Sequence, residues 1–101
     1  MNRGEIWLAE AGHKRRPVLV LTRSEVIDVR SLVTVAEITT SGRGLAVEVV
    51  VDDDASLDRP SMINCDGLHT VAQSSLTSRL SSVSDGTMRQ VCSAVSHALG
   101  C

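Results

Sequence analysis

The first half of the chain is a succession of short apolar runs, rich in β-branched residues, and that spacing most restricts the fold. EIWLA (5–9), PVLVL (17–21), LVTVAEI (32–38) and AVEVVV (46–51) are each of strand length. PVLVL has no polar residue to turn toward water, so it predicts a strand buried on both faces. Pro17 would stand at its start, where a ladder donor is dispensable. Residues 24–28 suit one helical turn. The third and fourth runs are joined through Ser41-Gly42-Arg43-Gly44, a link that fits a hairpin or a loop. Beyond the polar stretch DDDASLDRP (52–60), short strands are expected over 61–65 and 69–71.

The tail changes period. In DGTMRQVCSAVSHALG (85–100), Met88, Val91, Cys92, Val95 and Leu99 recur at helical spacing. Ser84 or Asp85 suits the N-cap and Gly100 the stop. With no repeat, linker or low-complexity tract, residues 1–101 read as a single domain. It is mainly β with α: a small half-open barrel plus a C-terminal amphipathic helix.

That core must be made almost without rings. The chain has one Trp and neither Phe nor Tyr, leaving Val, Leu, Ile, Ala and Met to fill the interior around Trp7. Such side chains bury little area each, so an apolar dimer face is an expected supplement. Base stacking by aromatic residues, common in single-strand binders, is not available on any scale. Hydrogen bonds and loop shape would then carry more of any selectivity.

The net charge of −2 argues against a chain coated for non-specific nucleic-acid binding, but the charge is unevenly spread. Residues 1–44 hold seven Lys/Arg against five Asp/Glu; residues 45–101 hold three against seven. The densest positive point is Lys14-Arg15-Arg16, at the root of the PVLVL strand. Cys65, Cys92 and Cys101 are odd in number and form no CxxC pair, which fits a reducing cytoplasm. No apolar stretch reaches membrane-span length, and the N-terminus lacks a signal-peptide core.

Nucleophile elbow, Walker loop and zinc spacing are all absent from the sequence. The aspartates at 52–54 do not make an EF-hand: the sixth position is Leu57 and the twelfth Ile63, where Gly and Glu are needed. Neither a metal nor another cofactor is expected. What remains is the basic knot with His13, the polar strand end Thr39-Thr40-Ser41 with Arg43 beyond it, and Asn64-Cys65-Asp66. A guanidinium grips phosphate bidentately, and hydroxyls donate to the same oxygens. RNA carries its own nucleophile, the 2′-hydroxyl, so cleavage needs only charge stabilisation and proton transfer. If the second and third strands are neighbours, Arg16 and Thr39 converge at one rim.

RGEIWLAE (3–10), RRPVLVL (15–21), VAEITTS (35–41) and SMINCDGLHTV (61–71), in that order, resemble the successive blocks of the MazF/PemK toxin family. SSLTSRLSSVSD and the final helix continue the match over nearly the whole chain. The resemblance implies an SH3-like barrel working as a homodimer. It implies a metal-independent, sequence-specific endoribonuclease acting on single-stranded RNA, restrained by a cognate antitoxin. The products would carry a 2′,3′-cyclic or 3′-phosphate. The family's catalytic arginine and threonine fall on Arg16 and Thr39, and its acidic residue on Asp66. Asn64 stands where some members carry a basic residue.

On this reading His13, Lys14, Arg15, Thr40, Ser41, Arg43, Asn64 and Asp66 contact substrate, and His13 or Asp66 assists proton transfer. Each also has an ordinary structural alternative: solvated charges at Lys14 and Arg15, a strand-end hydroxyl at Thr39, a turn cap at Asp66 before Gly67. Cys65 reads as a small apolar filler. Only AGHKRRP separates the first two strands, whereas many members have a longer loop there that shapes the RNA channel and meets the antitoxin. The cleavage sequence and partner contacts therefore stay open. So do two other readings: a CcdB-like barrel that poisons gyrase by protein contact, and an inactive barrel that only sequesters an antitoxin.

Overall fold

Alternation along the apolar runs gives the sheet two buried faces, and the computed structural model shows what covers each. It describes residues 1–11, 14–40, 47–51, 57 and 59–101. The elements are β1 (Glu5–Ala11), β2 (Lys14–Val20), α1 (Ser24–Ile27), β3 (Leu32–Thr39), β4 (Glu48–Val50), β5 (Met62–Ala72), β6 (Leu76–Ser82) and α2 (Asp85–Leu99). A 3₁₀ turn, Gln73–Ser75, links β5 to β6. The six strands form one antiparallel sheet in the order β4-β5-β3-β2-β1-β6. Its edges, β4 and β6, do not pair with each other, so the barrel stays open.

Neighbouring residues of one strand feed opposite cores. Leu19, Ile6, Ala36, Ile38 and Ile63 pack under α2 with Val91 and Ala94. Val18, Val20, Val33 and Val35 pack on the other side with Ile27 of α1, Leu76 and the half-buried Trp7. β2 is thus buried on both faces from Val18 to Val20, as PVLVL predicts. It nevertheless starts three residues before Pro17, at Lys14. Pro17 pairs with Leu8 inside the β1 ladder, while the β3 ladder reaches only to Val18. The proline marks where β2 becomes an edge on its β3 side.

The structure departs from the sequence reading in three further places. The link from β3 to β4 is not a hairpin, because β5 lies between those strands and pairs with both. Residues 61–65 and 69–71 belong to one long strand: the β3 register jumps from Ala36↔Leu68 to Glu37↔Asn64, leaving Cys65, Asp66 and Gly67 in a bulge. Asp66-Gly67 looks like a turn in sequence because those residue types suit both. β6 is an unanticipated strand. LTSRLSS shows no apolar alternation, since only Leu76 is buried and the rest of the strand is held by its ladder to β1.

Helix α2 begins and ends where its caps demand. The Ser84 side chain accepts from Thr87 N–H, and Gly100 closes the helix at φ 75°, a left-handed geometry that glycine adopts without strain. Of the expected stripe, Val91 is buried and Met88 and Val95 pack partly buried against the core. Thr87, Val91 and Ala94 face the sheet, whereas Cys92 and Leu99 are exposed. Cys92 lies on the flank, where Arg3 Nη2 donates to its sulfur at 2.9 Å.

At the β1–β6 edge, Glu5 collects donors from Asn2 N–H (2.7 Å), Trp7 Nε1 (3.1 Å) and Arg79 Nε (2.9 Å). Burial is the largest single influence and opposes ionisation, but the three donors and the Arg79 charge together outweigh it. The Glu5 carboxyl is therefore held below its ordinary value. A depressed carboxyl contributes stability above the unfolded-state value, and that stability is lost as pH falls through the folded-state value. The urea midpoint of the parent should therefore exceed that of Glu5→Gln at pH 7. The gap should close on acidification below about pH 4.5; a gap constant with pH would show that the charge of Glu5 contributes nothing.

Candidate active site

The β2–β3 register runs Val18↔Glu37, Leu19↔Ala36, Val20↔Val35. Continued by two residues, it sets Arg16 opposite Thr39. Both remain within regular ladders on their far sides, Arg16 with Ala9 and Thr39 with Met62, so strand alternation still applies to them. Arg16 follows Val18 and Val20 onto the α1 face; Thr39 follows Val35 and Glu37 onto the same face. The two residues named from sequence as catalytic thus share one side of the sheet, beyond the end of its apolar core. Arg16 is exposed and Thr39 half-buried.

The other sequence-derived positions divide. Lys14 is exposed and alternates onto the Arg16 face. Arg15 points to the other side, where its Nε meets Glu10 Oε1 at 3.2 Å, directly across the β1 ladder. Thr40 is exposed immediately after β3. Asn64 lies opposite Glu37, and its Oδ1 accepts from the Asp66 N–H at 3.0 Å, tying the bulge together. Asp66 is exposed in that bulge. His13, Ser41 and Arg43 lie outside the described residues.

Cys65 is fully buried, and burial, with the Asp66 and Cys92 charges adding to it, pushes its thiol up to about 11. It is an apolar filler and not a nucleophile at neutral pH.

Sequence reading missed two residues beside this pair. Glu37 and His69 meet at 2.9 Å, Oε1 to Nε2, with side-chain exposures of 34% and 53%. Val35↔His69 pairing puts His69 on the α1 face with Glu37. The signal was present in VAEITT: a carboxylate two residues before Thr39 must share its face. Its partner was not legible, since the bulge sets which β5 residue reaches Glu37.

A separate groove of about 540 Å³ lies on the α2 side, lined by Leu21, Leu68, Val91, Val95 and Leu99, with Arg3, Arg23 and Arg30. It does not include Arg16 or Thr39, and it is mostly apolar. Among the described residues no cluster of three or more His, Cys, Asp or Glu could hold a metal ion. No helix among them is long and apolar enough to cross a membrane.

Residues 2–99 match the family model for the PemK-like, MazF-like toxin of type II toxin–antitoxin systems. A probable endoribonuclease MazF5 of Mycobacterium tuberculosis is 40% identical over 103 residues, covering 98% of this chain and 93% of that protein. The Mycobacterium tuberculosis toxin MazF-mt6 has a TM-score of 0.89 at 36% identity, over 95% of this chain and 96% of that one. An endoribonuclease solved with its cognate antitoxin, from a mycobacterial species, reaches 0.92 over 99% and 95%. At 23% identity that likeness is one of fold. The chain belongs to the PemK-like, MazF-like toxins of type II toxin–antitoxin systems.

Proposed function

We propose that this toxin is a metal-independent endoribonuclease that cuts single-stranded RNA at particular sequences. The reading rests on the β2–β3 register, which, continued past Val18↔Glu37, sets Arg16 and Thr39 on one face of the sheet. A permanently charged, planar donor beside a hydroxyl suits the non-bridging oxygens of one phosphodiester. Arg16 stabilises the charge that grows on the phosphate as the neighbouring 2′-oxygen attacks, and Thr39 orients the group. Lys14 draws the backbone in, and Asn64, Thr40 and Asp66 contact the flanking nucleotides. His13, Ser41 and Arg43 belong to the same contact set.

The protein works in the cytoplasm as a homodimer restrained by a cognate antitoxin. Val29, Leu32 and Leu99 are exposed by 81%, 51% and 63%, apolar area of the kind that a second copy would cover.

Purified protein incubated with a long RNA in EDTA is expected to produce discrete cuts with 2′,3′-cyclic or 3′-phosphate ends and 5′-hydroxyls. Cutting that appears only when Mg²⁺ is restored would reject the metal-free mechanism. No cutting under either condition would favour a toxin that acts by binding.

A further inference from the structure

We infer that His69, held by Glu37, takes the proton from the attacking 2′-hydroxyl. This rests on the reading of the chain as an RNA-cleaving enzyme and gives to His69 the proton transfer that the sequence reading assigned to His13 or Asp66. Arg16 stays protonated and Thr39 is a poor base, so neither readily removes that proton.

The geometry supplies what a base requires. Glu37 engages Nε2 at 2.9 Å and fixes the ring's orientation. That leaves Nδ1, which has no hydrogen-bond partner among the described residues, on a side chain that is 53% exposed. Glu37 precedes Thr39 by two residues on one strand face, about 7 Å along the strand. His69 stands opposite Val35, two residues beyond Glu37 from Thr39, and its ring reaches back along that face to Glu37, toward the phosphodiester that Arg16 and Thr39 would hold.

The bulge in β5 makes this arrangement. A Cβ at Gly67 would stand 2.8 Å from Glu37 Oε2 and 3.1 Å from Asn64 Nδ2, so only a glycine leaves the carboxylate where it is. A carboxylate alone beside a phosphate site would repel substrate; paired with His69, it instead favours the imidazolium formed in the reaction.

The step balances without a co-reactant other than water. The 2′-oxygen forms a bond to phosphorus, the bond from phosphorus to the 5′-oxygen breaks, and the 2′-hydroxyl proton passes to Nδ1. Solvent protonates the leaving 5′-oxygen, giving a 2′,3′-cyclic phosphate and a 5′-hydroxyl. The imidazolium then loses its proton to bulk water. The charged group in contact with His69 is Glu37 from β3; on the same face of neighbouring strands, further along the register, stand Arg16 of β2 and Glu48 of β4 opposite Asn64, with Asp66 in the bulge of its own strand. Glu5 and Arg79, from β1 and β6, are occupied with each other.

The test is single-turnover cleavage, between pH 5 and 9, of an RNA that the parent protein cuts. His69→Ala is expected to slow the reaction by about 10²–10⁴-fold and to abolish the acidic limb of the profile, with partial rescue by added imidazole. His69→Gln, which can still hydrogen-bond Glu37, should be equally slow, and it serves if the alanine variant folds poorly. Glu37→Ala, which removes the group that orients the ring, should slow the reaction while keeping the acidic limb. Folded His69 variants that cut at the parental rate, or cut slowly with the acidic limb intact, overturn the inference. A parent that cuts no RNA overturns the enzymatic reading with it. Loss of activity in Arg16→Ala but not in the His69 variants removes the proton-transfer role alone.

Discussion

Arg16→Ala is expected to cut RNA at least about 100-fold more slowly than the parent protein, the usual scale for losing one preorganised donor to a developing oxyanion. Its melting temperature should barely move. Arg16 is exposed and lies before the buried part of β2, and truncations of that kind usually lie within about 0.5 kcal/mol. Arg16→Lys should recover only part of the rate, because ammonium restores charge without the two parallel donors of guanidinium. Lys14→Ala gives a useful contrast: a residue that only attracts the RNA backbone should weaken binding and flatten its salt dependence while leaving the bound-state rate intact. A folded Arg16→Ala protein that cleaves at the parental rate would remove Arg16 from the site.

Leu19→Ala should destabilise the fold by about 2–5 kcal/mol, a large share of the roughly 5–15 kcal/mol available to a domain. Leu19 has no exposed surface and stands in the centre of the sheet, with Ile6 opposite on β1 and Ala36 on β3. Alanine on one side and no Phe or Tyr anywhere in the chain leave nothing nearby that can swing in to fill the space. With a slope of about 1–3 kcal/mol per molar urea, the unfolding midpoint should fall by on the order of 1–3 M. A loss under about 1 kcal/mol would mean that the cavity collapses, contrary to the packing described.

Where burial repeated at a fixed period, the elements could be read directly. PVLVL and LVTVAEI announced β2 and β3 because both neighbours of every residue had to be covered. Ser84 and Gly100 bracketed α2 because caps act over three or four residues. The failures share a different cause. β6 is held by pairing and not by its own side chains, and residues 62–72 form one strand because β3 and β4 pair along it. The same holds at the site. Arg16 and Thr39 were named from local chemistry and family likeness, but Glu37–His69 depended on a three-residue bulge that no propensity reports.

Strand lengths, the terminal helix and its caps, the ring-poor composition of the core and the basic knot before Pro17 all follow from the chain alone, because each depends on residues close together in sequence. Tertiary structure decided that β5 lies between β3 and β4, that Arg15 turns from Arg16 toward Glu10, and that His69 meets Glu37. Those outcomes depend on register, and register is settled by pairing energies summed over strands far apart in sequence.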